Sequence, residues 1–346
     1  MSPTQTDLPP SSVESRSPLR KTDRNRCARW IDSRHSITDT IDSKRAVKSS
    51  LESKQMFHKR LVYYAATLVV MMTCTIALAQ AQENSAEGGS NNCGNLPNNA
   101  ALRTALASAL SAENSGLNNQ MWTTIVDRDG DVCAVAFSGM NRGAEWPGSR
   151  VISEQKANTA NAFSLDSSSS SNGKGQAAGL ALSTANLFTA VQVGGSLFGL
   201  QESNPVDTSV AYKGPSSDYG TANDPMVGSK IGGVNVFGGG LALYATNKVI
   251  VGGVGVSGDT SCTDHDVAWR VRHNLGLDHL LGVGGVSGDA NHPDNIIYDI
   301  VANPDGTGGT GKSPAGSGGV GKSPSGFGHP KCLNTWNPAA LPVVQP

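Results

Sequence analysis

The chain has 346 residues, enough for one large domain or two, with 41 glycines, 38% hydrophobic residues and only 16% charged ones. That composition excludes a charged, fully disordered chain and favours a compact domain with Gly-rich loops. The net charge of −1 hides an asymmetry. Residues 1–82 carry 13 Lys/Arg against 7 Asp/Glu, and residues 83–346 carry 14 against 21, a balance of −7 that argues against a nucleic-acid binder built on clustered Lys and Arg.

Residues 1–55 are polar and basic, with no sustained helical or strand period, and read as a disordered extension ahead of a start at Met56. From Met56 the pattern changes. His58, Lys59 and Arg60 form a basic lead, Leu61 to Leu78 an apolar core, and Ala77-Leu78-Ala79 and Ala79-Gln80-Ala81 are small-x-small cleavage patterns. Residues 56–81 therefore read as a signal peptide. The rival reading is an uncleaved anchor, although the apolar core sits at the lower end of what spans a bilayer. Either way residues 83–346 are expected outside the cytoplasm, periplasmic or secreted, with membrane contact only through this segment if it is uncleaved.

Beyond the signal segment the cysteines are Cys93, Cys133, Cys262 and Cys332, an even number suited to an oxidising compartment. Four cysteines allow three pairings, and spacing does not choose among them. The expected pairs are Cys93–Cys133 and Cys262–Cys332, the second tying the C-terminal tail to the central turn, with free buried thiols as the alternative. No CxxC occurs, which leaves a zinc ribbon or covalently attached haem without a motif.

Asn98 is placed to cap a helix in which Leu102, Leu106 and Leu110 recur every four residues. Trp122 to Val126 and Val132 to Phe137 read as a hairpin turning at Asp129-Gly130. The alternation of Asp127, Asp129 and Asp131 resembles the start of a calcium loop, but Ser138 stands where that loop needs an acidic residue. A helix is expected over SEQKANTANAF, capped by Ser153. Residues 166–175 read as a surface loop, Gln176 to Val193 as a helix, and 201–230 as a long loop insertion. Gly240 to Tyr244 and Val249 to Val251 form a strand pair around a turn at Thr246 to Lys248. Glycines 252, 253, 255 and 258 follow, then a polar turn and a helix from about Asp264, with Val267, Val271 and Leu275 on one face. NIIYDIV, from Asn295, is one more strand candidate. The domain is expected over 93–303, and a Gly/Ser/Pro-rich low-complexity tail over 304–346.

Two P-loop patterns lie in that tail, GTGGTGKS from Gly306 and GSGGVGKS from Gly316. Each is followed by proline and by no apolar helix, so a phosphate cradle between strand and helix is not expected. Gly253 to Gly258 also fits GxGxxG. Five residues of polar turn separate it from the helix, however, and the strand before it is hairpin-connected, unlike a dinucleotide fold. His265 and His273 lie eight apart on one helix, roughly 80° around it, and loosely share a side. They are the candidate metal ligands. Asp264, at a helix N-terminus beside a glycine turn, is the candidate catalytic base, with helix capping as its structural alternative.

Five segments now make a pattern. VDRDG at 126–130, KANTANAF at 156–163, ALSTANLF at 181–188, IGGVNVF at 231–237, and GVGVSG with Asp264 six residues beyond its last glycine together resemble the GlcG/HbpS-like haem-binding family. That family is also called haem-degrading and includes the C-terminal domain of PduO proteins. The resemblance covers about residues 97–275. A proline after the family's double glycine is missing around Val234, and the insertions and everything beyond Leu275 fall outside the pattern. The resemblance implies a single α/β domain in which helices pack on an antiparallel, profilin-like sheet, often as a homo-oligomer. It also implies haem as cofactor, with degradative or redox-sensing activity. The expected haem contacts are His265 or His273 as axial ligand; Arg270, Arg272, Arg142 and Lys156 for the propionates; Trp269, Phe237 and Tyr244 as lining; and Gly255, Ser257 and Gly258 in the turn. The alternatives are an enzyme on a small organic substrate using the glycine turn and Asp264, and a non-catalytic oligomeric scaffold. No nucleic-acid partner is expected.

Overall fold

The computed structural model describes residues 92–169, 178–304, 321–332 and 341–346. The basic extension, the signal segment, most of the 166–175 loop, the first P-loop pattern and most of the second lie outside the described residues. Among the described residues three helices exceed two turns: α1 (Asn99–Ser111), α2 (Ser149–Phe163) and α3 (Ser261–Asn274). The strands are β1 (Trp122–Asp127), β2 (Val132–Phe137), β3 (Gly240–Ala245) and β4 (Val249–Ser257). They form one antiparallel sheet in the order β2-β1-β4-β3. Among the described residues no helix is long and apolar enough to cross a membrane.

The sheet is covered on both faces, so its strands are buried along most of their length instead of alternating with solvent. Ile125, Leu241, Leu243, Val254 and Val256 point to the face shared by α1 and α3, where they meet Leu102, Leu106, Val267, Trp269 and Val271. Trp122, Val126 and Val135 point the other way, towards Val151 and Ala157 of α2. On that second face β3 and β4 carry Gly240, Gly253 and Gly255, with Gly240 opposite Gly255 and Gly253 opposite Ala242 in the register. A Cβ on any of them would run into a backbone carbonyl of α2: Lys156, Ala157 and Ser153 respectively. The strand glycines therefore let a helix lie directly on the sheet.

Two disulfides are present, Cys93–Cys133 and Cys262–Cys332. The second fastens the 329–332 segment to the first turn of α3. Several local expectations give way. The helix read over Gln176 to Val193 is instead an extended stretch, a 3-10 turn at Thr184–Leu187 and a single α-turn at Phe188–Val191. The Ser183 and Asn186 side chains close a capping box that starts a new element in mid-pattern. Residues 201–230 are folded over the β2 edge: Ser229 and Gly228 bond the Val132 backbone, and Asp224 receives a two-pronged ion pair from Arg150 of α2. NIIYDIV joins no strand of the sheet. Asp294 grips Arg272 through two bonds of 2.7 and 2.9 Å, which pins the segment along α3 instead. The chain end also departs from a featureless tail, since Leu341 and Val344 enter the core and Trp269 donates to the Pro342 carbonyl.

Where α1 meets α3, Glu113 and Asp266 share a hydrogen bond beside Arg270. Burial, and then the Glu113 carboxylate, push Asp266 from 3.8 up to about 9, while the same bond holds Glu113 down. Native Asp266 thus keeps a proton that the unfolded chain releases above its ordinary range, and stability falls as pH rises through that window. Asp266→Asn can donate the same bond at every pH. Thermal melts should show it more stable than wild type at pH 8 by about 4–8 °C, on the order of 2 kcal/mol, with little difference at pH 4.

Candidate functional site

The N-termini of α2 and α3 and the end of β4 converge on one cleft of about 420 Å³. Its apolar walls are Trp146, Ile152 and Phe237; its polar lining is Ser149, Lys156, Ser257, Asp259, Ser261 and Asp264. Trp146 and Phe237 are 54% and 47% exposed, and both line the cleft.

Sequence accounts for each placement. β4 ends at Ser257, and Asp259 closes the turn by accepting backbone N–H groups of Leu117, Asn119 and Thr260. Thr260 then caps α3 by accepting from Thr263 N. The helix starts at Ser261, three residues earlier than its apolar stripe suggests. Asp264 accordingly lies in the first turn with both oxygens engaged. Oδ1 accepts from Asp259 N at 2.9 Å, and Oδ2 from Lys156 Nζ at 2.7 Å. Lys156 also donates to the Val256 carbonyl at 3.0 Å. This pair is almost fully buried. Burial outweighs the mutual attraction, pushing Asp264 up to about 6 and Lys156 down from its ordinary value.

A second carboxyl group lies close by. Glu145 is buried, accepts from Trp146 N through Oε1, and has no hydrogen-bond partner at Oε2 among the described residues. Burial first, then the charges of Asp264 and Asp259, raise it to about 7. It can give or take a proton near neutral pH.

Behind the cleft, His329 Nε2 lies 2.8 Å from Ser261 Oγ and its Nδ1 lies 2.7 Å from the Pro330 carbonyl. The ring is buried, 4.9 Å from that of Phe188. Burial holds its basicity down to about 4.

Of the residues singled out in the sequence, Lys156, Phe237, Ser257 and Asp264 come together at this cleft, and the others do not. Gly255 serves the approach of α2, and a Cβ on Gly258 would strike the Gln120 carbonyl. His265 is wholly buried on another side of α3, where Nε2 meets Asn295 Oδ1 at 3.2 Å. Burial lowers it to about 4. His273 is at the far end of the helix, 2.7 Å from Asp278. The two histidines share no site. Arg272 is committed to Asp294 and the Ala242 carbonyl, and Arg270 lies between Glu113 and Asp266. Arg142 opens on a neighbouring groove with Tyr219. Trp269 and Tyr244 are core residues. Missed by sequence reasoning were Glu145, Trp146, Ser261 and His329. A signal for the last two existed, because the expected Cys262–Cys332 bond brings the neighbours of both cysteines together.

A family model described as "Haem degrading protein HbpS-like" matches residues 97–272. Among solved structures, the chain is similar to a PduOC:haem complex, at 21% identity and a TM-score of 0.32 over 51% of this chain and 89% of that one. It is similar to the ORFY protein of Klebsiella pneumoniae, at 22% identity and a TM-score of 0.30 over 51% and 88%. A double mutant of HbpS from Streptomyces reticuli gives 13% identity and a TM-score of 0.28 over 51% and 83%. No curated protein sequence matches.

Proposed function

Because the chain belongs to the HbpS-like haem-degrading family over residues 97–272, we propose that it binds haem outside the cytoplasm, in the cleft between Trp146 and Phe237. The observation that carries this reading is the pair of half-exposed aromatic rings at the mouth of an apolar-walled cleft inside the family segment. Large rings left in water at a concave site favour a flat apolar ligand.

A haem site commonly needs an apolar slot, an axial donor and charge partners for the propionates. The walls fit: Trp146, Ile152 and Phe237 would hold the macrocycle. The remaining lining fits less well. Asp259 and Asp264 make the floor acidic, Lys156 already serves Asp264, and among the described residues no histidine, cysteine, methionine or tyrosine lines the cleft. The reading therefore rests on apolar burial and not on a strong protein axial ligand. Bound haem would supply redox chemistry at its iron. Export is favoured by the two disulfides, which persist in oxidising compartments.

Titrating the purified protein with haemin is expected to give a saturable Soret shift, and its absence would overturn the proposal. Trp146→Ala/Phe237→Ala should weaken binding by about tenfold, equivalent to about 1.4 kcal/mol. Degradative activity, the finer part of the proposal, is read as bleaching of the Soret band on addition of ascorbate. Homo-oligomer formation, which the family resemblance implies, is read by sedimentation with and without haemin.

A further inference from the structure

The Ser261–His329 contact has a defined polarity. A proline carbonyl can only accept, so the bond between His329 and Pro330 places the ring proton on Nδ1. Nε2 then carries the lone pair, and the Ser261 hydroxyl donates to it at 2.8 Å. The same Ser261 oxygen accepts from Gly238 N at 2.6 Å, an arrangement that favours developing negative charge on it. This is the order of a nucleophile, a base and an orienting acceptor.

The surroundings suit the same chemistry. Ser261 lines the cleft, while His329 is buried behind it. Burial, and then the Lys156 charge, keep the imidazole neutral above about pH 4. Lys156 also lines the cleft. Its ammonium, held by the Asp264 and Val256 bonds, supplies fixed positive charge to the cleft wall. A tethering role does not explain the arrangement, because the Cys262–Cys332 disulfide already anchors this segment three residues away.

We propose that Ser261 and His329 form a nucleophile–base pair that hydrolyses small uncharged esters in the cleft. Ser261 Oγ bonds to the acyl carbon as its proton passes to Nε2. The bond to the alcohol oxygen breaks, and that oxygen takes the proton from Nε2. Water then attacks the acyl-serine, yielding a proton to Nε2, and collapse releases the acid as Ser261 Oγ regains the proton. The net reaction is ester plus water to acid plus alcohol. Trp146, Ile152 and Phe237 favour an apolar acyl group, and the acidic floor disfavours substrates bearing a carboxylate.

The test uses the purified protein, a fluorophosphonate probe and p-nitrophenyl butyrate. Peptide mass spectrometry should find the probe on Ser261, and the ester should be cleaved above background. Ser261→Ala removes both signals, and His329→Gln lowers the labelling rate by about 100-fold or more. The wild-type rate should fall as the pH drops towards 4 and the imidazole gains a proton. No label on Ser261, an unchanged rate in His329→Gln, or a rate that does not fall in acid would each overturn the proposal. The pH profile needs no variant, so it decides the matter even if His329→Gln fails to fold. No haem enters the assay, and its failure leaves haem binding standing.

Discussion

Replacing Lys156 with methionine should cost about 3–5 kcal/mol of stability at pH 8, the penalty for stranding a buried charge. Asp264 would remain almost fully buried, keeping its bond from Asp259 N but losing the ammonium at 2.7 Å. In the native protein burial already lifts Asp264 to about 6 against the pull of Lys156. Without that pull it rises further. Native Asp264 then holds its proton over a wider range than the unfolded chain does, so stability falls as pH rises through that range. Urea unfolding should therefore find the variant much weaker than wild type at pH 8 and closer to it at pH 5. Lys156→Met/Asp264→Asn removes the second charge and keeps an acceptor for Asp259 N. It should recover at least half of the loss. Equal losses at both pH values, or no recovery in the double variant, would mean that Lys156 acts through packing alone.

How much of this was legible in the sequence depends on range. α1, the β1–β2 hairpin and the β3–β4 pair are written locally, in Leu102, Leu106 and Leu110, in Asp129-Gly130, and in Thr246 to Lys248. Asn247 and Lys248 do adopt positive φ there. The insertion of β4 between β1 and β3 is a pairing across more than a hundred residues, for which no local signal exists. Where local pattern misled, a side chain overruled it. Ser183 and Asn186 cap a new element inside a run that looks helical, and Asp294 holds an apolar strand-like run against α3. At the site, Asp264 was readable because a helix start attracts carboxylates. Its partner Lys156 is 108 residues away in sequence, and the family resemblance named both segments without linking the two charges. His329 was hidden by composition: a Gly/Ser/Pro tail looks unstructured, yet one disulfide brings its 329–332 segment up behind the cleft.

Gly255→Val sets two physical effects against each other, and their sizes decide the sign. Valine is a better strand former than glycine by up to about 1 kcal/mol, and position 255 is in the middle of β4. Propensity alone would make the substitution stabilising. The Cβ, however, would collide with the Ser153 carbonyl oxygen and approach Ala157 N at 2.6 Å, both in the backbone of α2. A backbone cannot rotate away as a side chain can, so the helix must lift from the sheet. That opens the contact among Val126, Val151 and Ala157 and draws Lys156 away from Asp264. The expected net loss is about 3 kcal/mol or more, at the upper end of overpacking costs. Gly94→Ala, where a Cβ meets nothing within 4 Å, should change stability by less than about 0.5 kcal/mol. Because α2 also carries Ser149, Ile152 and Lys156 into the cleft, the Gly255 variant should lose haemin affinity along with stability. Urea titration of both variants, followed by haemin titration of the fraction that remains folded, checks both effects. A stabilised Gly255→Val would mean that α2 does not lie on the sheet as described.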